Sequence, residues 1–140
     1  MDSQQLNLKA TQALLAHVAG LAAERFNKPA CVAVCDAYGF LLGFVRADGA
    51  PVRSIAISQQ KAYTATRMGC DTPAFLARLK RDEVPIGYFC DPLLTALPGG
   101  VLIKDGSGRV LGAIGLSGLL PSEDQELAEA GAAFFASGCN

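Results

Sequence analysis

One eight-residue phrase occurs twice in this chain. Asp36-Ala37-Tyr38-Gly39-Phe40-Leu41-Leu42-Gly43 and Asp105-Gly106-Ser107-Gly108-Arg109-Val110-Leu111-Gly112 both read Asp-x-x-Gly-x-apolar-Leu-Gly. Each copy follows a short apolar run, Cys31–Cys35 or Val101–Lys104. Asp at the first position and Gly at the fourth are what a type I turn followed by a left-handed residue requires. That combination closes β-hairpins. The chain is therefore expected to contain two similar hairpins, with glycine-rich strand ends held close to a few charged side chains.

The spaces between the hairpins read as helices. Leu6 to Phe26 carries Thr11, Leu15, Val18, Ala22 and Phe26 at helical spacing, with Asn7 as a candidate N-cap. Lys28-Pro29 ends it and leads into a strand, Ala30 to Asp36, apolar on both faces and so expected mid-sheet. Phe40 to Arg46 is the second strand, and Ala47 to Pro51 a loop. Ser54 to Met68 reads as a helix closed by Gly69, and Thr72-Pro73 supplies an N-cap and a first-position proline for a shorter one reaching about Lys80. Ile86 to Cys90 reads as a brief strand, and Asp91 to Gly100 as connection. Val101–Lys104 and Val110–Leu116 form the second hairpin. Ser122 and Gln125 suggest a capping box opening the last helix, with Leu127, Ala130 and Phe134 facing inward. The order implies a mostly antiparallel sheet covered by terminal helices, an α/β (α+β) sandwich of two or three layers.

At 140 residues, positions 1–140 are expected to form a single domain with a real core. A hydrophobic share of 51% against 18% charged excludes disorder, and hints at self-association into a homo-oligomer. A net charge of −1 argues against nucleic acid as partner. Asp2 stands where a signal peptide would be basic, and no apolar run reaches membrane-spanning length, so a cytoplasmic location away from the membrane is expected. The five cysteines, Cys31, Cys35, Cys70, Cys90 and Cys139, agree with reduced thiols. Cys31 and Cys35 sit roughly 13 Å apart on one strand face, too far to bridge or to share zinc. Both read as small core residues, and Cys139 as an exposed one at a loose end.

Four segments hold candidate site residues: Arg46 with Asp48, Lys61 with Tyr63 and Thr64, Gly99-Gly100, and Ser117-Gly118. Bare glycines let a ligand approach backbone amides, while Arg46 or Lys61 would neutralise a carboxylate of a small anionic ligand. Singly, each glycine is explained by a tight turn; together the segments favour a ligand site. Gly106-Ser107-Gly108 is no nucleotide loop, because a strand and not a helix follows it. His17, the sole histidine, borders the apolar stripe of the first helix. Imidazole is a good ligand for haem iron, although a half-exposed helix-border histidine is the plainer reading. Nothing joins Ser117 to His17 as an acyl-transfer pair. Asp48 beside Arg46, and Asp91 before Pro92, read as structural.

Several phrases together resemble the GlcG/HbpS-like haem-binding proteins, a group that includes the C-terminal domain of PduO-type cobalamin adenosyltransferases. They are Val34-Cys35-Asp36 with Gly39, Arg46-Ala47-Asp48-Gly49-Ala50, Lys61-Ala62-Tyr63-Thr64-Ala65, Leu97-Pro98-Gly99-Gly100-Val101 and Gly112-Ala113-Ile114-Gly115-Leu116-Ser117-Gly118, then Asp124. The resemblance covers nearly the whole chain. It implies a profilin-like sandwich with a five-stranded antiparallel sheet, long terminal helices and assembly into dimers or larger homo-oligomers. It also implies haem or another tetrapyrrole as ligand, His17 as an axial ligand to its iron, and a role accessory to diol, glycerol or glycolate utilisation. Leu102 stands where the family often has proline, and Ala47 where it usually has methionine; both alter the pocket shape. Two other functions fit the residues: a lyase or isomerase acting on a small organic acid with Lys61 as acid/base, and a structural accessory protein without a ligand. A non-enzymatic binding role is the preferred expectation.

Overall fold

The computed structural model describes residues 4–138; Asp2 and Cys139 lie outside them. Among these residues the order is α1 (Leu8–Phe26), β1 (Cys31–Asp36), β2 (Leu41–Arg46), α2 (Arg53–Met68), α3 (Thr72–Asp82), a 3₁₀ turn (Ile86–Phe89), β3 (Gly100–Lys104), β4 (Val110–Ser117) and α4 (Pro121–Ala136). The strands form one antiparallel sheet in the order β2-β1-β4-β3.

The repeated phrase builds the same object twice. In the first copy Gly39 N–H donates to Asp36 O at 3.1 Å, and Asp36 N–H to Phe40 O at 2.8 Å. In the second, Gly108 N–H donates to Asp105 O at 3.0 Å, and Asp105 N–H to Arg109 O at 3.0 Å. Gly39 and Gly108 take φ of 93° and 87°, the left-handed region. The Asp36 carboxylate accepts from Tyr38 and Phe40 N–H, that of Asp105 from Ser107 and Arg109 N–H. The repeated leucine has its own job. Register slips at Cys35↔Leu41 and again at Lys104↔Val110, so Leu42 and Leu111 are the extra residues of two matching bulges.

Two layers of helix cover the sheet. Val32, Val34, Ile103, Ile114 and Leu116 face α1 and α4, meeting Leu14, Leu15, Val18, Leu127 and Phe135. The alternate positions Cys35, Leu102 and Ala113 face Ala62 and Ala65 of α2. The α2 side is packed with small groups because the helix lies almost on the backbone of the strands. A Cβ on Gly115 would stand 2.1 Å from Ser58 O, and one on Gly100 would stand 2.3 Å from Lys61 O.

Four expectations need correcting. The five-stranded sheet is four-stranded among the described residues, because Ile86–Phe89 coils into a 3₁₀ turn after Pro85 and ends at a left-handed Cys90. The outer edge of β3 is also already satisfied: Gly100 N–H donates to Thr72 Oγ1 and Leu102 N–H to Asp71 Oδ1. Thr72 is accordingly no cap for α3, whose N-cap is Asp71. Ser122 and Gln125 make no capping box; Glu123 accepts from Leu120 N–H instead, and Gln125 accepts from Gly99 N–H. The buried stripe of α4 is Leu127, Ala128, Gly131 and Phe135, so Ala130 and Phe134 stand at its border.

A methyl group added at the α2–β4 contact should therefore be costly. Gly115→Ala is expected to lose about 1–3 kcal/mol or more in urea unfolding, since backbone and not a flexible side chain blocks the new atom. Gly20→Ala, on open helix surface with nothing within 4 Å, is expected to gain about 0.5–1 kcal/mol. Equal effects from the two would refute the close approach of α2.

Candidate functional site

One end of the sheet gathers most of the candidate residues. Arg46, Cys31 and Ser117 lie in register across β2, β1 and β4, and Gly100 pairs with Gly115 beside them. The polar groups there bond to the protein itself. Arg46 Nε and Nη2 donate to Ala50 O at 3.3 and 3.1 Å, closing the Ala47–Ala50 turn on which Asp48 is exposed. Ser117 is buried and donates to Ser54 Oγ at 3.1 Å. Gly118 carries φ 127°, and a Cβ there would meet Pro29 O at 2.9 Å.

Lys61 is the centre of this end. Small residues, Ser54, Ser58, Ala62 and Ala65, mark the inward stripe of α2, and Lys61 falls on it. Its side chain is only 2% exposed, and its ammonium donates to Leu116 O at 2.6 Å and to Asp124 Oδ2 at 3.1 Å. The ammonium passes where Gly99 has no side chain: a Cβ there would be 2.8 Å from Nζ. Asp124, 3% exposed, also accepts from Leu119 N–H through Oδ1. Burial pushes the Lys61 pKa down while Asp124 pulls it back up. Burial likewise pushes the Asp124 carboxyl up, against the pull of Lys61. The pair joins α2 to α4, which lie on opposite faces of the sheet.

His17 lies elsewhere, in the α1–α4 layer. It is half-buried and stacked on Phe134, with ring centroids 3.8 Å apart and planes within 8°. The structure therefore brings Lys61, Gly99, Gly100 and Ser117 to one sheet end with Arg46, and sets His17 apart from them. Asp124 is the principal residue that sequence reasoning left out of the site. The signal was available in part: a lysine on a stripe of small inward residues needs a buried anion. A second cluster joins the candidate Tyr63, whose hydroxyl donates to Asp91 Oδ2 at 2.6 Å, and Arg67, stacked over the Tyr63 ring at 4.7 Å. Among the described residues, no group of three or more His, Cys, Asp or Glu is placed to hold a metal ion, and no helix is long and apolar enough to cross a membrane.

An α/β sandwich built on two like hairpins, with a buried lysine–aspartate pair joining its helical layers, defines the structural class. The chain matches the family described as haem degrading protein HbpS-like over residues 6–133, and it belongs to that family. It is 35% identical to Protein GlcG of Escherichia coli strain K12 over 96 residues, 68% of this chain and 69% of the relative. The crystal structure of Klebsiella pneumoniae protein ORFY superposes with a TM-score of 0.85 at 26% identity, covering 98% of this chain and 94% of that one. A crystal structure of a PduOC:heme complex shares the fold, with a TM-score of 0.81 at 22% identity over 92% of this chain and 94% of that one.

Removing one half of the buried pair should strand the other charge. Lys61→Met is expected to cost about 3–5 kcal/mol in urea unfolding. Adding Asp124→Asn, which keeps an acceptor for Leu119 N–H, is expected to recover half or more of that loss. Additive losses in the double-mutant cycle would show that the two groups do not interact.

Proposed function

We propose that this protein binds haem through His17. Membership of a family described as haem degrading supports the ligand, and the fold it shares with a haem complex supports the scaffold. The observation that carries the reading is the state of the histidine itself. Its imidazole has no hydrogen-bond partner among the described residues, and Phe134 stacks on one face and fixes the ring plane. A half-buried imidazole with a free ring nitrogen is a fit donor for haem iron. Haem bound there would supply the iron; the chain contributes a held ligand and the apolar face of Phe134.

In this reading Lys61 is structural. A lyase or isomerase acid/base would need to meet its substrate, whereas the Lys61 ammonium is shut in with Asp124 and Leu116 O. The propionates of haem would find their cations elsewhere than on Lys61, and Arg46 remains a candidate only if it gives up Ala50 O. The proposal includes the setting expected from the sequence, one cytoplasmic domain, and that implied by the resemblance, a homo-oligomer accessory to diol, glycerol or glycolate utilisation.

Titration with haemin tests it. Wild-type protein is expected to give a saturable Soret shift. His17→Ala should weaken binding at least tenfold, about 1.4 kcal/mol, and change the ligation spectrum. An unsaturable shift, or the same spectrum and affinity in His17→Ala, would overturn the assignment.

A further inference from the structure

A hollow of about 290 Å³ opens on the α2 side of the sheet, in the layer opposite His17. Cys35 of β1 forms its floor and is 2% exposed. Leu41 and Leu93 form its lips, 52% and 48% exposed. The remaining wall is the flank of α2 that carries Ile55, Ala56, Gln59, Gln60 and Tyr63.

Three bonds hold this shape in place. Arg67 Nε donates to Tyr38 O at 2.9 Å, tying the first hairpin turn to α2. Tyr63 donates its hydroxyl to Asp91 Oδ2, and Asp91 Oδ1 accepts from Leu93 N–H at 3.0 Å, which fixes the lip. Gly39 allows the turn to sit against the helix, since a Cβ there would be 2.9 Å from Tyr63 Cδ2. A hollow built this way needs no reordering to accept a ligand, so little affinity is lost to closure.

Its chemistry selects the ligand. No Asp, Glu, Lys, Arg or His side chain lines it, and burial pushes the Cys35 thiol up to about 11, so that floor is neutral at pH 7. A charged ligand would be stripped of water with no counter-charge to meet it. A pure hydrocarbon would cover polar groups without pairing them. Gln59 donates one Nε2–H to Ile55 O, leaving its second N–H and its Oε1. The Gln60 carboxamide has no partner among the described residues and so offers a donor and an acceptor side by side.

We propose that this hollow is a second binding site, specific for a small neutral ring bearing an adjacent N–H and C=O, the lactam or pyridone class, paired with the Gln60 carboxamide. It goes beyond the haem reading and stands on different residues.

The test is an amide-resolved NMR titration of the full chain with 2-pyridone, alongside 1-methyl-2-pyridone and benzoate. Saturable shifts centred on Gly39, Ala56, Gln60 and Tyr63 are expected with 2-pyridone. Loss of the N–H in the methylated probe, or of the carboxamide in Gln60→Leu, should weaken binding at least fivefold, and benzoate should not saturate. Ala56→Trp, checked for folding by circular dichroism, should abolish the response. No saturation with 2-pyridone, equal binding of benzoate, or an unchanged affinity in Gln60→Leu would each overturn the proposal. So would shifts at these amides that follow protein concentration instead of ligand, since they would mean that a second copy covers the hollow.

Discussion

A lysine ammonium and an aspartate carboxylate, both shut off from water, hold the two helical layers together across one end of the sheet. Lys61 stands on the helix that covers one face, Asp124 in the first turn of the helix that covers the other. Neither charge would be tolerable alone at this burial, and each offsets the desolvation of its partner. The surrounding backbone is arranged to let them meet. Gly99 leaves room for the ammonium, and Leu116 O supplies its second acceptor. Gln125, one residue along from Asp124, accepts from Gly99 N–H at 2.8 Å and so fixes that glycine as well. Three chain segments distant in sequence thus become one polar knot inside an otherwise apolar sandwich.

The knot depends on how closely α2 approaches the strands, and that depends on glycine. Gly100 and Gly115 are register partners on neighbouring strands, and both would collide with the backbone of α2 if they carried a Cβ. The Pro-Gly-Gly phrase and the Gly-x-x-Gly spacing of β4 look on paper like ligand-cradling loops. In the folded chain Gly100 and Gly115 let a helix lie on a sheet, Gly112 lets two strands approach, and Gly99 leaves room for the Lys61 ammonium. Glycine permits close approach to whatever stands opposite, and sequence does not say whether that is a ligand or the protein itself.

What was legible in the sequence followed the range of the interactions. The two hairpins were readable because an Asp-x-x-Gly turn is fixed by bonds within five residues, and both copies form the same set. The terminal helices were readable from apolar spacing, with Asn7 capping α1 by accepting from Ala10 N–H. Ile86–Cys90 was misread because an apolar, aromatic run fits a strand locally, while its outcome rests on Pro85 and on a sheet edge already satisfied by Asp71 and Thr72. The partner of Lys61 was out of reach for the same reason: 63 residues separate it from Asp124, and no local pattern selects one carboxylate among many.

The sheet makes the two faces of the molecule chemically separate. On one, His17 and Phe134 present a stacked, partly open pair of rings. On the other, the first hairpin leans over α2 and leaves a neutral hollow whose carboxamides are incompletely paired. The polar knot between them is buried and bonded to the protein itself, tying one layer to the other. Exposed side chains on either face of this chain can therefore be exchanged without touching the buried lysine, its aspartate and the glycines that let them meet.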